Sequence, residues 1–173
     1  VTGAALFIRL ADYREVGGLD DHFFAHMEEI DLCWRLRSRG KKLVCIPQSV
    51  VYHVGGATLK KENPRKTFLN FRNNLLMLYK NLPDKELEHV LFIRGILDRV
   101  AALVFYLKKD RANARAVMQA RREFEDIRYS FAASRIENMM KSTDEIIPER
   151  THFSIVMKYY LLGKKHFSQL KLF

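Results

Sequence analysis

Only two cysteines, Cys33 and Cys45, occur in the 173 residues, and their separation matches neither a metal-binding spacing nor a disulfide framework. Both fall in apolar runs, so buried thiols in a reducing compartment are expected. No charged leader or signal-peptide apolar segment opens the chain. Val1 starts what reads as the middle of a strand, so a piece of a longer protein is expected. Its expected location is cytoplasmic, with peripheral attachment to the inner face of a membrane left open. The longest apolar stretch, residues 89–107 (HVLFIRGILDRVAALVFYL), is interrupted by Arg94, Asp98 and Arg99. Each such charge costs ~2.5–3.5 kcal/mol at a bilayer centre, which argues against a membrane span. Two readings remain for this stretch, an amphipathic core helix and a helix lying in a membrane interface. There is no internal repeat, no low-complexity segment and no recognisable nucleic-acid motif, so nucleic acid is not an expected partner.

Charge is abundant but unevenly placed. The net charge is +10. Residues 1–58 hold seven basic and seven acidic side chains, whereas residues 59–173 hold twenty-three and thirteen, so the whole surplus lies in the second part. A neutral part, 1–58, and a basic part, 59–173, are therefore expected, the latter facing an anionic partner such as a membrane surface.

The neutral part reads as mixed α and β. Residues 3–9 (GAALFIR) suggest a buried strand with small residues first. Residues 10–16 suggest a short helix, stopped by Gly17-Gly18 at positive φ. Asp20 to Phe24 form a turn and an aromatic anchor. From Glu28 to Arg39 the periodicity of Ile30, Leu32, Trp34 and Leu36 predicts a helix with an acidic start and a basic end, ended by Gly40. Residues 42–46 and 49–54 are rich in β-branched residues and predict two strands. A polar loop from Gly55 through Lys60, Lys61 and Glu62 to Pro64 marks the boundary between the parts.

Beyond Pro64 the pattern is helical. Phe68, Phe71, Leu75, Leu78 and Leu82 form one stripe, closed by Pro83. Val90, Ile93, Leu97, Val100, Val104 and Leu107 form a second. Val117, Ala120, Phe124, Ile127 and Phe131 form a third, and a last helix is expected over residues 151–170.

The chemistry-bearing residues cluster early. Glu28, Glu29 and Asp31 occupy the first turn of a predicted helix, where the dipole favours ionised carboxylates. Neighbouring residues on a helix point about 100° apart, so Glu28 and Glu29 cannot both face one ligand. His53 closes the second strand; eleven helical residues out and a strand back bring that end near the acids. A carboxylate and a histidine so placed suit proton abstraction or metal binding, though acids also cap helices and a lone histidine also serves structure.

In order, Gly3-Ala4-Ala5, the Gly17-Gly18-Leu19-Asp20 turn, the Glu28-Glu29-Ile30-Asp31-Leu32 helix start and the Val50-Val51-Tyr52-His53-Val54-Gly55-Gly56 ending resemble the acceptor-binding half of family 2 glycosyltransferases. The resemblance covers about fifty residues. It implies an α/β fold, the mixed-sheet C-terminal half of a GT-A domain, followed by an all-helical extension. It implies an inverting transferase of hexosyl or rhamnosyl type, moving sugar from a nucleotide-sugar donor to a saccharide or lipid-linked acceptor in cell-surface polysaccharide synthesis. The family's base falls on Glu29, where glutamate replaces the usual aspartate; Glu28 and Asp31 are the other catalytic candidates. A divalent metal, Mg or Mn, is implied, with His53 as a ligand. The family's D-x-D motif occurs nowhere in this chain, so the donor-binding half and most metal ligands are expected elsewhere, and the chain alone is expected to be inactive.

Trp34, Arg35 and Arg72 are candidates for contact with acceptor or diphosphate. Arg72 lies in a segment, N-F-R-N-N-L-L, similar to one that follows the transferase core in polysaccharide-assembly members; a solvated face with helix caps is the plainer alternative. Arg111, Arg115, Arg121 and Arg122 suggest a basic face suited to anionic headgroups. The rival function is a non-catalytic basic helical module binding membrane or nucleic acid. A metal-dependent hydrolase is a weaker third reading, since no second histidine stands at ligand spacing.

Overall fold

The computed structural model describes residues 3–53, 63–143, 147, 150–151 and 153–170. Seven α-helices lie among them: α1 (Leu10–Glu15), α2 (Glu28–Ser38), α3 (Pro64–Asn81), α4 (Asp84–Leu107), α5 (Arg111–Ile127), α6 (Ala132–Met140) and α7 (Ile155–Tyr160). Short 3-10 turns at Gly3–Ala5, Asp21–Phe23, Arg128–Phe131 and Phe167–Gln169 complete the regular structure.

The expected α/β architecture does not hold, because no strand occurs among the described residues. Residues 3–9 form a 3-10 turn and then irregular chain, and residues 42–46 and 49–53 carry no ladder. Their β-branched residues lie open, with Val44 75% and Ile46 62% exposed. Side-chain type favours a strand only where a neighbouring strand supplies hydrogen bonds, and none of the described residues does so. Residues 55–62 of the polar loop expected to mark the boundary lie outside the described residues, as does Val54 of the second expected strand.

Helix α3 is the hub of the molecule, packing on α2, α4, α5 and α6. It starts where Asn63 accepts a hydrogen bond from the Arg65 amide at 2.9 Å and Pro64 takes the first turn, and it ends before Pro83. Helix α5 starts on Asp110, which accepts from the Asn113 amide at 3.1 Å, and buries Val117, Ala120 and Phe124 as expected. The main core joins Phe23 to Leu75, Leu76, Tyr79, Leu82, Leu87, Leu91, Phe124 and Phe131. Phe23 thus comes from the neutral part and is fully buried in the helical core. A smaller core of Val16, Leu32 and Leu36 sits beneath Leu6, Ile8, Tyr13 and Leu43.

Three further expectations need correction. The core face of α4 is Leu87, Leu91, Gly95, Asp98 and Ala102, so Ile93, Val100, Val104 and Leu107 of the expected stripe lie exposed. The helix expected over residues 151–170 reduces to α7 and a 3-10 turn. Cys45 is exposed and Cys33 only half-buried. No helix is long and apolar enough to cross a membrane among the described residues.

Candidate functional site

The site is built at the start of α2. The turn before it requires backbone that side chains rarely adopt: Gly17 and Gly18 have φ of +82° and +70°. A Cβ on Gly18 would meet the Tyr13 ring at 2.9 Å, so the position admits only glycine. Arg35, reaching back from α2, donates to the carbonyls of Val16 and Gly18, the latter at 2.7 Å. Its other face meets Asp31, with Nε 2.9 Å from Oδ2.

Asp31 is fully buried. Besides Arg35 it receives Lys80 Nζ at 3.0 Å and Asn81 Nδ2 at 2.7 Å, both from α3. Lys80 Nζ also meets Asp20 Oδ2 at 2.7 Å and lies 5.0 Å from the centre of the Phe23 ring. Two carboxylates and two cations therefore balance one another between the two cores, the condition under which buried charge is tolerated. Burial alone would raise the carboxyl of Asp20, but Lys80 and His22 outweigh it and hold it below the usual aspartate value.

Between this hub and α2 runs a strained stretch. Phe24, His26 and Met27 have φ of 58°, 70° and 74°, all in left-handed territory without glycine. Each costs on the order of 1–3 kcal/mol and persists only where surroundings impose it. Here the constraint comes from α3. The amide nitrogen of Asn73, fully buried, donates to the carbonyls of Phe23, Ala25 and His26 at 2.8, 2.9 and 2.9 Å. Arg72 donates to the His22 carbonyl at 2.8 Å and to Glu123 at 2.7 Å, and Asn74 approaches the Met27 sulfur at 3.9 Å. The Arg72-Asn73-Asn74 triplet thus grips the loop that leads into the acids.

The acids emerge from that loop. Met27 supplies no side-chain cap to α2. His26 Nε2, Glu28 Oε2 and Glu29 Oε2 are buried atoms without a hydrogen-bond partner, a grouping that native proteins seldom leave without a reason. Burial raises the carboxyl of Glu28 above its ordinary value, and the neighbouring Glu29 adds to the rise. Burial lowers the imidazole of His26, helped by the Lys66 charge and opposed by Glu29. Perturbed groups beside strained backbone are what chemistry at a site requires, although ion-pair networks can also perturb them.

The residues singled out from the sequence therefore separate. Glu28 and Glu29 stand together at the loop. Asp31 and Arg35 are committed to the buried hub. Trp34 turns the other way, packing beside the main core and lining a 430 Å³ cavity with Ile30, Cys33, Leu43, Ile147 and Arg150. His53 is exposed, and the residues after it lie outside the description. No three His, Cys, Asp or Glu side chains are grouped to hold a metal among the described residues. They do not by themselves fit the implied Mg or Mn. Arg111, Arg115 and Arg122 are exposed on α5, but Arg121 turns inward to Asp98 of α4 at 2.9 Å.

Sequence reasoning passed over His26, took Lys80 only as one of the basic residues flanking a helix, and weighed Asp98 only against a membrane span. The available signal was a polar residue amid apolar ones on a core helix, as at Lys80 beside Tyr79 and Leu82.

No family model matches the chain, and no solved structure matches it. A pre-mycofactocin glycosyltransferase of Mycobacterium tuberculosis is 31% identical over 138 residues, 73% of this chain and 29% of that protein. An N-acetylglucosaminyl-diphospho-decaprenol L-rhamnosyltransferase of the same organism is 36% identical over 53 residues, 31% of this chain and 17% of that protein. The chain spans less than a third of the length of these curated relatives. By sequence it is related to glycosyltransferases.

Proposed function

We propose that this chain is the acceptor-side segment of an inverting family 2 glycosyltransferase, with Glu29 as general base. The observation that carries the reading is the group of partnerless polar atoms on His26, Glu28 and Glu29, where the strained loop gripped by Asn73 enters α2. The acceptor is a saccharide or a lipid-linked saccharide, and the reaction belongs to cell-surface polysaccharide synthesis. The donor is a nucleotide sugar carrying a hexosyl or rhamnosyl group; the resemblance and the named relatives support that class.

In the reaction the acceptor hydroxyl oxygen attacks the anomeric carbon. The bond from that carbon to the nucleotide diphosphate breaks, and the leaving group departs with the bonding pair. Glu29 takes the hydroxyl proton as the new bond forms, and configuration inverts at the carbon. Glu28 stands beside Glu29, and burial together with the Glu29 carboxylate favours its protonated form. His26 offers a neutral imidazole to orient the acceptor.

The test is sugar transfer by the full-length protein that carries this segment, assayed with radiolabelled nucleotide sugars and lipid or saccharide acceptors. Glu29→Gln lowers kcat by about 10² or more while donor binding, followed by calorimetry, stays the same. Wild-type turnover in that variant refutes the assignment of Glu29.

A further inference from the structure

The face of α4 turned away from the core is apolar along most of its length. Phe92, Ile96, Val100, Leu103 and Leu107 are all exposed, with Phe92 at 69% and Leu107 at 70%. At 100° per residue these five fall within an arc of about 80°, and they run about 22 Å along the helix. Solvent-facing helices normally carry charge on such an arc, and an apolar stripe of this extent marks a surface with a partner.

Beside the stripe lies a row of cations. Arg111, Arg115 and Arg122 follow one another at helical spacing along α5, with Met118 between the last two, all exposed. They line an open groove together with Leu103 and Tyr106 of α4, so stripe and row share one side of the molecule. The Arg111 guanidinium sits 5.9 Å from the centre of the Tyr106 ring. Glu123 and Asp126 are the acids of the groove, and Glu123 is already paired with Arg72. Lys108 and Lys109, exposed where α4 ends, add further positive charge.

We infer that this face, the α4 stripe with the Arg111, Arg115 and Arg122 row, seats the protein on an anionic lipid surface. The charge pattern chooses the occupant. A second copy packed by a two-fold axis would bring two arginine rows into one interface, which like charge opposes. A nucleic acid would neutralise the arginines but leave the aliphatic stripe in water. A bilayer of anionic lipid takes both, the side chains of α4 entering the acyl boundary and the guanidinium groups meeting phosphates. Helix α4 then lies in the plane of the surface; it does not cross it. The inference stands apart from the proposed reaction, because it is read without any assay of transfer.

Vesicle sedimentation of the 173-residue chain tests it, with phosphatidylcholine vesicles alone or mixed with phosphatidylglycerol. The chain sediments with the mixed vesicles at low salt, and binding weakens as salt rises. Changing Arg111, Arg115 and Arg122 together to Gln lowers partitioning by about 100-fold, roughly fivefold for each charge removed. Changing Ile96 and Leu103 to Ser lowers it by about tenfold even at low salt, since both are exposed and the apolar contribution is unscreened. Circular dichroism confirms that both variants keep their helices. The inference is overturned if the chain ignores anionic vesicles at low salt or binds neutral ones equally well. It is equally overturned if the serine variant changes only the oligomeric state in light scattering, or if duplex DNA binds the chain and the vesicles do not.

Discussion

Removing the charge of Lys80 while keeping its bulk should be among the most damaging single changes in the protein. Its ammonium lies 2.7 Å from Asp20 and 3.0 Å from Asp31, and the side chain is 3% exposed. Lys80→Met leaves the aliphatic stem packed against Phe23 but turns a balanced hub of two anions and two cations into one with a net negative charge. Arg35 and Asn81 still serve Asp31, so the loss falls on the Asp20–Asp31 pair, now two carboxylates without the cation between them. Breaking a buried pair from one side costs about 3–5 kcal/mol. With a urea slope of about 2 kcal/mol/M, the unfolding midpoint falls by about 1.5–2.5 M while the slope itself stays constant. The pH dependence gives an independent reading. Asp20 has a folded value below its ordinary one, so the stability it supplies is present above about 4 and is lost as pH falls through that lower folded value. In Lys80→Met that acid-side loss shrinks, because Asp20 no longer has the cation that lowers it. A cost below about 1 kcal/mol, or an unchanged acid-side slope, would refute the picture of a buried charge hub.

The loop carries consequences of its own. Asn73→Ala removes the side-chain donor shared by the Phe23, Ala25 and His26 carbonyls and should cost about 1–3 kcal/mol in denaturant unfolding. In the same variant, carbon-13 NMR should show the carboxyl of Glu28 moving back toward the ordinary glutamate value as the loop relaxes; Asn73→Asp, which sets an anion against the carbonyls, should be worse than Ala. Glu28 itself has a raised folded value, so the folded state holds a proton that the unfolded chain releases, and stability falls as pH rises from about 4.5 through that folded value. Glu28→Gln should therefore melt higher than the wild type at pH 7 and lose that advantage near pH 4.

The local grammar of the chain was readable where one element decides the outcome. Gly17-Gly18 and Gly40 announce left-handed backbone, and all three have positive φ. The acidic start of α2 and the stripe of Val117, Ala120 and Phe124 are set by helical periodicity alone. Periodicity failed on α4, where apolar residues from Val90 to Leu107 fall on every face and contrast between faces is lost. The inward face was marked instead by Gly95 and Asp98, whose burial depends on Arg121 arriving from α5. The expected strands failed for a related reason, since a ladder belongs to two segments and β-branched residues in one segment cannot supply the other. Nothing in the types Phe24, His26 and Met27 announces positive φ, because Asn73, some fifty residues later, imposes it.

That distance has a consequence for how the protein is made. Ribosomes add about 5–20 residues each second. Asn73, Lys80 and Asn81 therefore follow Phe23 and Asp31 by several seconds at the slower rates. During that interval the acidic helix start has no clamp, its carboxylates are free to sample ordinary geometries, and Asp31 has only Arg35 to meet. The strained loop is thus the product of a late docking event, and a transplant of residues 1–58 into another scaffold would carry the acids without the geometry that perturbs them.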